Sequence, residues 1–116
     1  MIKIFKTAKS LQDGIDNMMA GAKEDYAQTM GRNDSAYTKQ KLENYESQTT
    51  VKEGKKYIKV IYDRSVFAFI VKEDFKHFRR GDVLKPAGWA PPALNKPRGN
   101  VLEGNYPIQW TGPLYL

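Results

Sequence analysis

The segment YIKVIYDRSVFAFIV, residues 57–71, decides how the sheet of this chain is built. Its first six residues alternate, with Ile58 and Val60 on one face and Lys59 on the other, which is typical of a half-exposed strand. The DRS tripeptide follows as a turn, and residues 66–71 are apolar throughout. A strand that is apolar on both faces belongs in the middle of a sheet that is covered on both sides. We therefore predict a β-hairpin with a central, doubly covered second strand.

Strict alternation predicts which side chains of this second strand share a face. We expect two sets on opposite faces, Val66, Ala68 and Ile70 on one and Phe67, Phe69 and Val71 on the other. N-terminal helices can cover one face. The remaining apolar material lies at the C-terminus, in residues 96–116, and we expect this closing stretch to cover the other face.

A first helix is predicted over residues 10–31. Ser10 and Asp13 form a capping-box-like start, and apolar residues then recur with helical spacing. Gly14 and Gly21 each weaken such a helix by roughly 1 kcal/mol relative to alanine. We therefore expect the helix to depend on packing for its stability. The residues before it, MIKIFK, fit either a short strand or a lead-in to the helix.

A second helix is predicted to follow closely. Gly31 offers a stop for the first helix, and Asp34 or Ser35 can cap a second one that runs to about Glu46. With GRND as the connection, the two helices would form an α-helical hairpin.

The segments after the β-hairpin are expected to be short and irregular. Phe75 and Phe78 are three residues apart in KEDFKHFRRGD, which favours a helical turn, and residues 83–85 fit a short strand. The rest is rich in proline, glycine and aromatic residues, which predicts an ordered wrap with a strand at 108–110. Residues 112–116 would pack against the domain. The predicted fold class is α+β: an N-terminal helical hairpin on a small antiparallel sheet, wrapped by the C-terminal segment.

Length and composition limit the kind of protein. A chain of 116 residues fits one domain, mainly helical over 1–49 and β-rich and basic over 50–116. The sequence has no cysteine, which excludes disulfides and thiolate metal sites. No stretch approaches the roughly 20 apolar residues of a membrane span, so we expect a soluble protein that does not enter a membrane.

The net charge of +6 comes from the second half alone. Residues 1–50 hold seven Lys or Arg and seven Asp or Glu, whereas residues 51–116 hold twelve and six. This asymmetry favours an anionic partner for the second half, either a nucleic acid, a nucleotide or an acidic protein surface. The alternative is a protein that merely keeps its net charge away from zero.

The candidate contacts to an anionic partner are basic residues at the predicted turns, on the first hairpin strand and in the C-terminal wrap. They are Lys55, Lys56, Lys59, Arg64, Lys76, Arg79, Arg80, Lys85, Lys96 and Arg98. Interleaved aromatic residues such as Tyr57, Tyr62 or Trp89 can stack on bases, as they do in single-strand binding proteins. The same aromatic residues fit a core or its rim equally well.

Catalytic chemistry is not indicated. His77 is the one histidine and lies among basic residues on a predicted turn, where an ordinary surface role is expected. One histidine without cysteine cannot build a usual zinc site. Glu73, Asp74 and Asp82 could hold magnesium, but their pattern does not indicate it. The sequence shows neither a P-loop nor a nucleophile elbow. We therefore predict that the protein is not an enzyme and has no catalytic residue, no metal and no cofactor.

The second half of the chain resembles small proteins of unknown activity that tailed bacteriophages encode. The matching pieces are GDVLKPAGW (81–89), PALNKPRGN (92–100) and WTGPLYL (110–116), with YIKV (57–60) upstream. The resemblance implies a phage origin and action in the cytoplasm of the bacterial host. It transfers no catalytic or binding residue.

Three functions remain open. The first is a non-catalytic phage protein that binds a host protein, either a defence effector or part of the replication or transcription machinery, and alters its activity. The second is a nucleic-acid or nucleotide binder that uses the basic second half. The third is a minor component of the virion. The sequence leaves the oligomeric state open.

Overall fold

The structure is a computed structural model that describes residues 1–30 and 35–114. In chain order its elements are β1 (Ile2–Ile4), α1 (Leu11–Met30), α2 (Ala36–Glu43), β2 (Thr49–Glu53), β3 (Tyr57–Tyr62), β4 (Ser65–Val71), β5 (Val83–Leu84) and β6 (Tyr106–Ile108). Strands β2-β3-β4-β5 form one antiparallel sheet, and β1 pairs with β6 in a second one. The predicted α+β class is confirmed, and MIKIFK contains a strand.

Strand β4 is the central strand that the sequence predicts. It lies between β3 and β5, and Phe67 to Val71 are all buried. The turn before it consists of Asp63 and Arg64, and Asp63 has a φ of 58°. Aspartate tolerates this left-handed conformation better than most residues, so the turn closes without glycine.

A β-bulge changes the predicted division of β4 between its two faces. Ile61 pairs with Val66 whereas its neighbour Val60 pairs with Ala68, so Phe67 is an extra residue in the strand. Because a bulge interrupts the alternation of side chains, Phe67 joins Ala68 on the helix side and Val66 packs on the opposite side. The prediction from strict alternation is therefore wrong for residues 66 and 67 and right for the others.

Helix α1 covers one face of the four-stranded sheet. Its apolar residues Ile15, Met18 and Ala22 are buried in one cluster with Val60 and Ile70 of the sheet. We call this cluster the helix-side core. It accounts for the helix despite two internal glycines, because burial of a large apolar side chain contributes about 1.5–3 kcal/mol.

Both predicted helix starts are confirmed. The Asp13 N–H donates to Ser10 Oγ at 3.1 Å, and the Thr38 N–H donates to Ser35 Oγ at 3.2 Å. Helix α2 ends at Glu43, three residues before the predicted end. The predicted stop at Gly31, the alternative cap Asp34 and the GRND connection lie outside the described residues. The hairpin arrangement of the two helices therefore stays a prediction.

The second face of the sheet, which points away from α1, is covered by the segment between β4 and β5. Phe75 and Phe78 pack on Phe69 and Leu84 there. The predicted helical turn is wrong: Phe75 and Phe78 exchange two backbone hydrogen bonds of 3.1 and 2.8 Å across a tight turn that contains Lys76 at a φ of 52°. This turn directs both rings onto the sheet.

The closing stretch covers an edge of the sheet and not its second face. The Arg98 N–H donates to the Val83 carbonyl and the Val83 N–H donates to the Gly99 carbonyl, both at 2.8 Å. Val101, Tyr106 and other apolar residues of this stretch belong to the helix-side core. The expectation that it covers the second face is therefore wrong, because Phe75 and Phe78 already occupy that face.

The predicted ordered wrap is nevertheless present through residue 114. Its strand is β6, Tyr106–Ile108, two residues before the predicted 108–110, and it pairs with β1 so that Ile2 lies opposite Ile108. Buried Asp25 of α1 holds both strands of this small sheet at one end: it accepts the Trp110 N–H at 2.9 Å and pairs with the amino group of Met1. The prediction that residues 112–116 pack against the domain includes Tyr115 and Leu116, which lie outside the described residues.

Candidate functional site

A groove of about 260 Å³ lies on the second face of the sheet, beside the turn between β2 and β3. We call it the lysine groove. It is lined by Lys52, Glu53, Gly54, Lys55, Lys56, Tyr57, Lys59, Phe69 and Ala90. Four of these nine residues are lysines and one is acidic, so the lining carries a net positive charge.

Two of the lysines face each other across neighbouring strands. Lys52 of β2 is the direct cross-strand partner of Lys59 in β3. Like charges in this position destabilise a sheet by roughly 0.2–1 kcal/mol. The pair is thus unfavourable for folding alone, and an anion placed between the two ammonium groups would relieve the repulsion.

The one carboxylate of the groove is already engaged. Glu53 forms an ion pair with Lys72 at 2.8 Å, and the hydrogen bond from Lys72 lowers the pKa of the Glu53 carboxyl group. Lys72 also donates to the Gly54 carbonyl at 2.9 Å, which fixes the β2–β3 turn. The Glu53 carboxylate is therefore paired with Lys72, which does not line the groove, and not with one of the four groove lysines.

Aromatic rings hold two of the groove lysines in place. The Lys59 Nζ lies 5.7 Å from the ring centre of Phe69 and 4.6 Å from that of Trp89. The Lys56 Nζ lies 5.5 Å from the ring centre of Phe75. Such cation–π contacts contribute about 0.5–1 kcal/mol at exposed sites. They restrict the two side chains, of which Lys56 is exposed and Lys59 is half-buried.

Trp89 is presented by a closed loop, residues 86–92, which we call the Trp89 loop. Its base is fastened by pairing of Pro86 with Pro92 and by the Ala87 N–H, which donates to the Pro91 carbonyl at 3.0 Å. The Trp89 side chain is 54% exposed. The loop places a large aromatic surface at the edge of the groove, next to Lys59.

Three of the ten predicted contact residues, Lys55, Lys56 and Lys59, lie together in the groove. Arg64 lies in the turn between β3 and β4, at the opposite end of that hairpin. Lys76 is exposed in the Phe75–Phe78 turn. The sequence analysis missed Lys52, since its position opposite Lys59 depends on the register of β2 with β3.

The arginines at 79 and 80 do not join the groove. The Arg79 guanidinium makes a two-pronged ion pair with Glu103, at 2.5 and 2.9 Å, and this pairing lowers the pKa of the Glu103 carboxyl group. Arg80 is exposed, and its N–H donates to Asp74 at 2.7 Å. Lys96 lines a separate depression with Arg79 and Glu103.

Lys85 and Arg98 have a structural role that the sequence did not indicate. The Lys85 Nζ donates to the Pro113 carbonyl at 2.8 Å, and the Arg98 Nε donates to the Leu114 carbonyl at 3.1 Å. Burial, together with the charge of Arg98, lowers the pKa of Lys85. Both cations fasten the closing stretch, so neither is a free contact for a partner.

The residues considered for catalysis are dispersed. His77 is exposed and packs on the Phe78 ring, with 4.1 Å between the ring centres. Asp82 is buried and accepts hydrogen bonds from the Arg79 N–H and the Asn100 amide, both at 2.9 Å. Across residues 1–30 and 35–114, no three or more His, Asp or Glu side chains cluster as a metal ion requires.

Helices α1 and α2 differ from membrane-spanning helices. Within the described part of the chain, neither is both long enough and apolar enough to cross a bilayer.

The fold and the groove together define a small α+β protein with a lysine-lined surface site. The chain belongs to DUF7717, a family of unknown function, whose family model matches residues 3–116. The match includes the N-terminal helices as well as the basic second half. No curated protein and no solved structure matches the chain. The resemblance to proteins of tailed bacteriophages stays a prediction.

Proposed function

We propose that this protein is a non-catalytic binding protein whose lysine groove holds the phosphate backbone of a nucleic acid. The observation that carries the proposal is the direct cross-strand pairing of Lys52 with Lys59 in a groove lined by four lysines. A phosphate oxygen between the two ammonium groups turns their repulsion into two attractive contacts. Lysine and arginine contacts to phosphates supply most of the sequence-independent affinity of nucleic-acid binding proteins.

The type of cation favours a nucleic acid over an acidic protein surface. Protein–protein interfaces are enriched in arginine and depleted in lysine, whereas lysine is an ordinary phosphate ligand. The groove is lined by lysines, and Arg79 and Arg98 are held elsewhere by Glu103 and by the Leu114 carbonyl.

The substitution Lys52→Glu tests the proposal, because it separates binding from folding. It replaces a repulsive cross-strand pair by an attractive one, so the free energy of unfolding should rise by a few tenths to about 1 kcal/mol. Affinity for a nucleic acid should fall, and the slope of log K against log salt should become shallower by about 1 or more. Salt-dependent binding and urea unfolding measure the two effects.

The control is Lys9→Glu, which makes the same change of charge. Lys9 is exposed in the segment before α1, and α1 packs on the face of the sheet opposite the groove. This variant should bind almost as tightly as the wild-type protein. If Lys52→Glu binds as well as wild type, or if Lys9→Glu loses as much affinity, the groove is not the binding site.

A second candidate function is binding to a host protein, and two exposed side chains favour it. Trp89 and Leu94 are 54% and 51% exposed in neighbouring parts of the C-terminal segment. Exposed aromatic side chains of this kind are common anchors of protein interfaces. In this candidate the protein is phage-encoded and acts in the host cytoplasm on a defence effector or on the replication or transcription machinery.

The host-protein candidate is tested by capture from nuclease-treated bacterial lysate. One host protein should be retained by the wild-type chain and lost with Trp89→Ala. Capture that disappears after nuclease treatment contradicts this candidate. A minor place in the virion, the third prediction, is tested by mass spectrometry of purified particles.

A further inference from the structure

We infer that the nucleic acid in the lysine groove is single-stranded and that Trp89 stacks on one of its bases. The inference rests on the proposed function and adds the class of nucleic acid and the residue that selects it. It starts from one juxtaposition: a 54% exposed indole lies 4.6 Å from the Lys59 ammonium group, at the edge of a groove to which the next residue, Ala90, contributes.

The other tryptophan of the chain, Trp110, is packed against the domain and not exposed as Trp89 is. Trp110 packs edge-on against Tyr26, with 5.3 Å between the ring centres, and it contacts the helix-side core. Trp89 instead projects from a loop that the Ala93 N–H also fastens, by donating to the Lys85 carbonyl at 2.8 Å. Because the loop is closed by its own hydrogen bonds, little conformational entropy is lost when a ligand contacts its tip.

Stacking on Trp89 requires a base whose face is free. Within a duplex, neighbouring base pairs cover both faces of each base, whereas the bases of a single strand can be unstacked. Single-strand binding proteins combine a positive groove that follows the backbone with aromatic side chains on which bases stack. Lys52 and Lys59 supply the positive groove and Trp89 the aromatic surface.

The other aromatic rings that line the groove do not present a free face to a base in this way. Phe69 is only 2% exposed and lies beneath Lys59, and Tyr57 packs edge-on against Phe69 and Phe75. The tip of the Trp89 loop carries Ala87, Gly88 and Ala90 beside the indole, and their side chains have no hydrogen-bonding group. We therefore expect stacking that tolerates any base, with no strong sequence preference.

The experiment compares three polyanions: an oligothymidylate of about 12 nucleotides, its DNA duplex and inorganic polyphosphate of similar charge. The affinity for each polyanion is measured directly by isothermal titration calorimetry. Fluorescence is measured in a Trp110→Phe background, in which Trp89 is the one remaining tryptophan. Oligothymidylate should quench Trp89 emission, and polyphosphate should bind without quenching it.

The substitution Trp89→Leu should weaken oligothymidylate binding about five- to hundred-fold and leave polyphosphate binding unchanged. The matched control is Phe5→Leu, which alters another exposed aromatic side chain that does not line the groove and should change neither affinity. Both substitutions are made in the wild-type background, so the result does not depend on the Trp110→Phe variant.

The outcomes separate this inference from the proposed function. If oligothymidylate binds but Trp89→Leu has no effect on it, or if the duplex binds as tightly as the single strand, the inference is wrong and the proposed phosphate groove stands. If none of the three polyanions binds, the proposed function is wrong and the inference fails with it. If polyphosphate alone binds, the groove recognises phosphate but no nucleic acid, which contradicts the proposed function and the inference together.

Discussion

Replacing Gly14 of α1 by alanine should destabilise the protein, although alanine is the better helix former. In an exposed helix interior this change gains about 1 kcal/mol. At Gly14, however, an added Cβ would lie 2.6 Å from the Val101 carbonyl oxygen and 2.7 Å from the Val101 Cβ. Neither of these atoms can move away by a change of rotamer, so α1 or the backbone at Val101 has to shift.

The size of the effect follows from what that shift disturbs. Overpacking of a buried contact costs typically about 1–3 kcal/mol. The Val101 N–H donates to the Gly81 carbonyl at 2.9 Å, and weakening this hydrogen bond adds about 0.5–1.5 kcal/mol. After subtraction of the gain in helix propensity, about 1 kcal/mol, we expect a net loss of roughly 1–3 kcal/mol in the free energy of unfolding.

Urea denaturation followed by circular dichroism measures this loss, and Gly21→Ala provides the comparison. A Cβ at Gly21 would meet the Ile4 Cδ1, which is the tip of a side chain. Removal of that atom by Ile4→Val should therefore recover part of the stability that Gly21→Ala loses. Val101→Ala should not rescue Gly14→Ala, because the carbonyl oxygen and the Cβ remain. A Gly14→Ala protein as stable as wild type would refute this account of the helix contact.

Three further perturbations test other contacts. Asn100→Ala should lower the free energy of unfolding by about 1–3 kcal/mol, because buried Asp82 loses the amide that donates to it at 2.9 Å; an unchanged urea midpoint contradicts this. Lys41→Met should lower the melting temperature and Lys41→Arg should not, because the Lys41 ammonium lies 4.8–5.5 Å from three aromatic rings; equal losses in both variants argue against a cation–π contact. Burial raises the pKa of Tyr62 to about 12 and also raises the pKa of Tyr106. Since tyrosines of the unfolded chain ionise near pH 10, their contribution to the free energy of unfolding should be constant below about pH 10 and be lost as the pH rises above it. The loss, measured by urea unfolding at a series of pH values, should be smaller in Tyr106→Phe.

The sequence was sufficient for the elements whose signals are local. Six consecutive apolar residues identified β4 as a central strand, and side-chain caps at Ser10 and Ser35 marked the helix starts. The bulge at Phe67 was not predictable in this way, because it is defined by the register of β4 against β3. No residue type at that position marks an interruption of the alternation.

The error over Phe75 and Phe78 has a related cause. Two side chains that are three residues apart lie on the same side of a helical turn. They also lie on the same side of the chain when they flank a tight two-residue turn. The backbone at Lys76 has a positive φ. Glycine or asparagine at this position would have indicated such a turn, whereas lysine does not.

The candidate site was predictable to the extent that it lies within one hairpin. Lys55, Lys56 and Lys59 are close in sequence and stay together in the fold. Arg79 and Arg98 were included as free cations, but their partners are Glu103 and the Leu114 carbonyl, 24 and 16 residues away. Contacts at such separations follow from the path of the closing stretch, which composition and spacing do not reveal.

The pairing of residues 98–101 beside β5 leaves β2 at the other border of the four-stranded sheet. Charged side chains on a border strand, lysines above all, discourage two copies of a protein from joining strand to strand. We therefore expect Lys52 to disfavour self-association through this border, in addition to its proposed contact. Neutral replacement of Lys52 would remove both properties together, so an apparent loss of affinity would be confounded by aggregation. A charge reversal at Lys52 keeps that border charged and is the safer basis for an inactive variant.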